Sequence, residues 1–150
     1  MGVKETLEND LKKALRSQDE RRKTTLRLAL AAIHNAEIAK GRALEEGEAL
    51  AVLSKEAKQR RESAAMFAEG GREDLVAQEN EELQILTDYL PEQLSEAEIE
   101  ARVREVIKEV GATSPAQIGH VMRVLMPQVK GKADSQLVNT VVKRILSEPA

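Results

Sequence analysis

The sequence predicts an all-α protein, with a four-helix N-terminal unit followed by a three-helix C-terminal module. Three observations lead there. Apolar residues recur at helical spacing in nearly every segment, while period-two alternation is almost absent. The segments are separated by strong start and stop signals, among them "EGG" and two capping boxes. The 150 residues suffice for one domain or two small ones.

Taken in order, the first helix is predicted over Val3 to Arg16. Asp19 can cap a second that runs to about Lys40, with Leu26, Leu30 and Ile33 on one face. Leu28, Ala29, Ala32 and Ala36 widen that stripe, as expected of a helix buried between neighbours. "KGRALEEGE" breaks the pattern, and a third helix follows from about Glu48 to Ala68. A fourth, from about Arg72 to Tyr89, carries Leu75, Glu79, Leu83, Leu86 and Leu90 at three- and four-residue spacing. Pro91 disfavours helix at Leu90, which places the boundary between 1–90 and 91–150.

Beyond the boundary, Ser95 and Glu98 form a capping box, with Leu94 and Ile99 placed as its hydrophobic staple. That helix should end at Gly111. Ser114, Pro115 and Gln117 open the next, which should stop at about Met126, before Pro127. Asp134 is placed to cap the last, which continues to Leu146.

Formal net charge is −3, so bulk electrostatics do not call for a nucleic acid. The distribution is more informative. Residues 1–110 hold 18 Lys/Arg against 24 Asp/Glu, whereas residues 111–150 hold five against two. A basic end on an acidic body suggests a local anionic ligand. There is no cysteine, which excludes disulfides, thiolate nucleophiles and Cys-ligated zinc. No apolar run reaches the ~18 residues of a membrane span, and "MGVKETLENDLKK" lacks a secretory apolar core; a cytoplasmic location with no membrane partner is expected. One Tyr and one Phe leave no aromatic platform for stacked bases. Any nucleic-acid contact must then run through phosphate, sugar and shape.

The stretch best suited to such a contact is "GHVMRVLMPQVKGKADSQLVNTVVKRIL". On the last helix Leu137, Val138, Val141, Val142 and Ile145 share one side, and Gln136, Asn139, Thr140, Lys143 and Arg144 the other. On the helix before it, Ile118, Val121, Met122 and Leu125 face inward, leaving Gly119, His120 and Arg123 outward. The connecting loop delivers Lys130 and Lys132 beside a helix N-terminus, whose unpaired N–H groups and partial positive charge suit an anion. Gly131 would let a phosphate approach the backbone. The candidate phosphate-binding set is Lys130, Gly131, Lys132, Asn139 and Lys143, with Arg123 at its edge. Asp134 competes for the same N–H groups, and the alternative is a turn whose lysines keep it soluble.

Other clusters point to surface pairing. Lys55, Lys58 and Arg61 share an arc near Glu56 and Glu62, which is intrahelical ion-pair geometry. His34 and Glu37 are also one turn apart. His34 and His120 fall in no metal-ligand spacing, so no metal and no cofactor is expected. No nucleophile elbow or phosphate-binding "GxxxxGK" loop occurs, and no catalytic residues are assigned.

With these residues in hand, the chain resembles the YqeY family of small bacterial proteins essentially end to end. "VLSKEAKQRRESAAMFAEGGREDLVAQENEELQILTDYLPEQLSEAEI" is close to the family pattern. The C-terminal third also resembles the tail of GatB, a subunit of the tRNA-dependent amidotransferase. Gly119, Val121 and Met122 match its first element, Lys130, Gly131, Lys132 and Ala133 the second, and Gln136, Leu137, Val138 and Asn139 the third. One departure is the Asp134–Ser135 pair, where the tail usually has Asn-Pro.

The resemblance implies a GatB-tail-like module that grips structured tRNA, alone or alongside an amidotransferase or an aminoacyl-tRNA synthetase. The family is commonly labelled with carbon–nitrogen ligase activity using glutamine as amido-N-donor. The chain resembles the gripping part and shows none of the amidase or kinase-like machinery, so it is expected to be an accessory protein, not an enzyme by itself. Two alternatives remain at this point: an amidotransferase component acting with a partner, and a protein-interaction module.

Overall fold

The computed structural model describes residues 2–149. These form seven α-helices and one short 3₁₀ turn, in two compact units spanning Met1–Pro91 and Glu92–Ala150. The all-α expectation holds, with four helices in the first unit and three in the second.

In the N-terminal unit α1 is Val3–Ser17, α2 Glu20–Lys40, α3 Glu46–Glu69 and α4 Glu73–Thr87. Helix α1 packs along α2, and α3 along α4. The core is set by residues at helical spacing: Val3 and Leu7; Leu26, Ala29 and Ile33; Ala49, Leu53 and Ala57; and Leu86. Alanines in this set let the helix backbones approach closely.

The ends are fixed by local chemistry. The Asp19 side chain accepts from Arg22 N–H at 3.1 Å, and Gly41 ends α2 at φ +73°. Helix α3 begins two residues before its predicted start, because Glu48 reaches back to accept from Glu45 N–H at 3.0 Å. Glu46 accepts from Val3 N–H at 3.0 and 3.1 Å, so the start of α3 caps the start of α1. A Cβ at Gly2 would lie 2.8 Å from that same carboxylate, so a larger residue there would make the Glu46 side chain shift.

Helix α2 departs from its predicted burial. Leu26, Ala29 and Ile33 are enclosed, but Leu28 and Ile38 face solvent, so the widened stripe is only partly covered.

Between α2, α3 and α4 lies a charged cluster. Arg60 Nε stands 3.0 Å from Glu82 Oε2 and 3.8 Å from Glu79, and Arg21 reaches Glu82 at 3.6 Å and Glu81 at 3.2 Å. Glu82 is buried. Burial, and then the neighbouring Glu82 charge, push the Glu79 carboxyl above its ordinary range. Nearby, Tyr89 donates to Asp10 Oδ2 at 2.6 Å, and burial with that carboxylate pushes the phenol up to about 12. The expected His34–Glu37 pair gives way to a longer-range one: Glu37 accepts from Lys4 Nζ at 2.8 Å and from Leu44 N–H at 2.9 Å.

In the C-terminal unit α5 is Glu96–Val110, the 3₁₀ turn Pro115–Gln117, α6 Ile118–Val129 and α7 Ser135–Leu146. The Ser95–Glu98 box forms, each partner accepting from the other's N–H at 3.1 Å. Ile99, Val103 and Val106 of α5 meet Val121, Leu125 and Val129 of α6 and Val138, Val141 and Val142 of α7.

Two predicted details change here. Helix α6 runs through Pro127 to Val129 instead of stopping at Met126. Pro127 removes one helical hydrogen bond, and the extra turn encloses Val129 completely, a burial that contributes about 1.5–3 kcal/mol. On α7 the inward face is Val138, Val141, Val142, Ile145 and Leu146, and Leu137 is exposed.

Candidate nucleic-acid interface

The "VKGKAD" segment is a folded turn. Lys130 has φ −59° and ψ 125°, Gly131 has φ +79°, and Lys132 N–H donates to the Val129 carbonyl at 2.9 Å. Those values define a type II turn, whose third residue needs positive φ and therefore glycine. The turn is clasped from the segment ahead of α5: Gln93 Nε2 donates to the Gly131 carbonyl at 2.9 Å, and Leu94 N–H to the Lys132 carbonyl at 2.8 Å.

This corrects the role expected of Gly131. The residue is buried and its carbonyl is bonded, so it does not bare backbone to a phosphate. Its glycine identity comes from the turn. The α7 N-terminus is likewise occupied from within, because Asp134 accepts from Gln136 N–H at 3.4 Å and Leu137 N–H at 3.3 Å. An anion arriving at that helix mouth would meet a carboxylate already bound to the N–H groups it needs.

What remains of the predicted set is its side-chain charge. Arg123, Lys130 and Lys143 are exposed and Lys132 is half-buried. Among the described residues none of the four forms an ion pair within 4.0 Å. Two other arginines of the same three helices behave differently: Arg104 pairs with Glu100 and Glu148 at 3.0 Å, and Arg144 with Glu100 at 3.1 Å and Glu96 at 3.4 Å. Glu148 bonded to Arg104 lies below its ordinary carboxylate range for that reason.

The unit spanning 92–150 holds eight basic and eight acidic residues. It is therefore not a basic module as a whole. Glu96 and Glu100 of α5, with Glu148, pair with Arg104 and Arg144, whereas the candidate cations of α6, the turn and the outer face of α7 keep their charge without such partners.

The structure groups the candidates in two places. Arg123 and Lys130 line one open groove of about 570 Å³ along α6, together with Met122, Met126 and Pro127. Asn139 and Lys143 lie one turn apart on the same face of α7. Lys132 follows Gly131 in the turn. The groove is not visible in the sequence, because Met122 reads as an inward-facing core residue whereas Met122 and Met126 are both half-buried. Nor does the sequence show the cluster at Arg60, which pairs with Glu56 one turn back and with Glu79 and Glu82 of another helix. Lys58 pairs with Glu62 at 4.0 Å, as its spacing suggested. Among the described residues no cluster of three or more His, Asp or Glu side chains could hold a metal ion, and no helix is long and apolar enough to cross a membrane.

The Yqey-like protein family model matches residues 4–146, nearly the whole chain and both units. The chain belongs to this family. It is similar to curated relatives from yeasts, each named "Altered inheritance of mitochondria protein 41, mitochondrial". The Lachancea thermotolerans protein is 40% identical over 113 residues, covering 73% of this chain and 60% of the relative. The Kluyveromyces lactis protein is 38% identical over 132 residues, covering 85% and 67%. The Saccharomyces cerevisiae protein is 34% identical over 149 residues, covering 92% and 80%. The match thus spans about three fifths to four fifths of these relatives' own length.

The comparison corrects the expected cytoplasmic location, since the relatives are named as mitochondrial proteins. The earlier criterion was the lack of a long apolar run. It tests for membrane spans and secretory leaders only, whereas organellar addresses are amphipathic and escape it. The Yqey-like family extends to these yeast proteins, beyond the small bacterial ones the resemblance named.

Proposed function

We propose that the C-terminal unit of this Yqey-like protein holds the sugar-phosphate backbone of a structured RNA of the tRNA class, as an accessory protein. The observation that carries the reading is the set of four cations, Arg123, Lys130, Lys132 and Lys143, without carboxylate partners within 4.0 Å in a unit where Arg104 and Arg144 are paired. Side chains alone would make the contacts, because Asp134 holds the α7 N-terminus and Gly131 is enclosed. Asn139, half-buried one turn before Lys143, would add a neutral hydrogen bond to sugar or phosphate.

The resemblance of this segment to an amidotransferase tail supports tRNA as the class and an amidotransferase or synthetase as a working partner. The mitochondrial names of the relatives add organellar tRNA to the ligands to be tried. Three or four phosphates neutralised should give a log–log salt dependence of about −3. Titrating purified protein into labelled bulk tRNA at 50 and 200 mM salt measures it. A flat salt dependence, or no binding at either salt, contradicts the reading.

A further inference from the structure

Phosphate binding would use the cations at the edge of the α6 groove and leave its floor unexplained. That floor is apolar: Met122, Met126 and Pro127, open to solvent between Arg123 and Lys130. One turn ahead of Met122, a Cβ at Gly119 would meet nothing within 4 Å, so the approach along α6 is unobstructed. We propose that this groove docks an amphipathic helix of a partner protein, one whose apolar stripe lies on the methionines and whose carboxylates meet Arg123 and Lys130.

The charges identify the occupant. Arg123 lies on α6 and Lys130, seven residues on, caps its C-terminus, its N–H still bonded to the Met126 carbonyl; at 1.5 Å per residue this separates them by roughly 10 Å along the axis. Carboxylates seven residues apart on an incoming helix have the same separation, so both cations are answered at once. Apolar anchors at i, i+3 or i+4, and i+7 fall between those carboxylates, over the methionines. Unbranched, polarizable methionine adapts to whatever side chains arrive, and is over-used at surfaces that take helices. The inference does not depend on RNA binding. Lys132 and Lys143 lie outside the groove, so the two can be tested apart.

The chain contains four methionines, which makes methyl NMR of ¹³C-methyl-Met protein a direct readout. Met122 and Met126 report the groove, and Met66, the most exposed large apolar residue of the N-terminal unit, serves as the internal control. The probe is a synthetic helix-forming peptide with leucines at i, i+4 and i+7 and glutamates seven apart beside them. The expected result is that the Met122 and Met126 methyls shift and that of Met66 does not. A shuffled peptide of the same composition, or one with lysine for glutamate, should bind at least about tenfold more weakly. Arg123→Glu with Lys130→Glu should cause a similar loss, and Met126→Gln, which keeps length and a partly exposed position, about fivefold.

Equal binding of the shuffled peptide, or none of the designed one, overturns the proposal. Methyl shifts caused by tRNA alone would assign the groove to nucleic acid. Shifts that follow protein concentration alone would assign it to a second copy of this chain. Lys132→Glu with Lys143→Glu, measured against tRNA, tests the RNA reading separately and should leave peptide binding unchanged.

Discussion

In the N-terminal unit Arg21 and Arg60 turn inward to Glu82, and Lys4, Lys40 and Arg42 hold Glu37 and Glu48 at 2.6 to 2.8 Å. In the C-terminal unit the enclosed side chains from Ile99 to Leu146 are all apolar. The buried polar side chains among the described residues, Thr25, Ser54 and Glu82, all belong to the first unit. The first unit therefore uses charge to join its own helices. The second is held together by aliphatic packing, and its ion pairs gather on Arg104 and Arg144. Cations left over from structural duty are what a ligand-binding surface needs; in the second unit they include Arg123, Lys130, Lys132 and Lys143, on α6, the turn and α7.

If that contrast is right, the two units should break differently. Leu125→Ala, which empties the middle of the second core, should cost about 3 kcal/mol or more, read as a shift in the urea midpoint. Arg60→Ala leaves the enclosed Glu82 with Arg21 alone, at 3.6 Å, and should cost about 1–3 kcal/mol. Arg60→Met combined with Glu82→Met should be close to neutral, because both desolvation penalties disappear together. Equal losses in the single and double variants would remove the first unit's charge cluster from the account.

Gly131→Ala forces a side chain into positive φ and should cost about 1–2 kcal/mol; a neutral result would mean the turn is not type II in solution. Asp134→Asn keeps an N-cap while removing a negative charge from the α7 mouth. It should leave stability within about 0.5 kcal/mol and raise tRNA affinity by about twofold.

Acid tests the charge pairs of the first unit. Glu37 and Glu48 lie below the ordinary 4.5, each chiefly through the side chains of Lys4 and Arg42 respectively. Their contribution to stability is present above pH 4.5 and is lost as pH falls below it, toward their folded-state values. Glu79 works the other way: its raised value makes the folded state bind the proton first, so stability rises as pH drops from neutral toward 4.5. Urea midpoints of wild type and Glu79→Gln between pH 7 and 5 check the sign, since the variant should lose that rise.

Much of this fold was legible because it is local. Periodicity and end signals such as Asp19, the Ser95–Glu98 box and Asp134 act within three or four residues, and their helices start where those side chains bond. What was not legible depends on residues distant in sequence. Helix continues through Pro127 because Val129 finds a core to enter. Gly131 is enclosed because Gln93, 38 residues away, bonds its carbonyl. The pair between half-buried Arg60 and buried Glu82 joins two helices and follows no helical spacing. The candidate lysines were visible, but their lack of partners was not, since Arg144, equally basic in sequence, is taken by Glu96 and Glu100.

The central claim, that unpaired cations and not basic residues in general make the binding surface, is tested most directly by two charge reversals of equal size. Lys130→Glu with Lys132→Glu removes unpaired cations, and Arg104→Glu with Arg144→Glu removes paired ones. Both variants and wild type are titrated into bulk tRNA at the same salt, with thermal melts to confirm folding. The account predicts that the lysine pair abolishes binding, while the arginine pair lowers stability and changes affinity by no more than about twofold. Equal losses from the two pairs, or retained binding by the lysine variant, would contradict it.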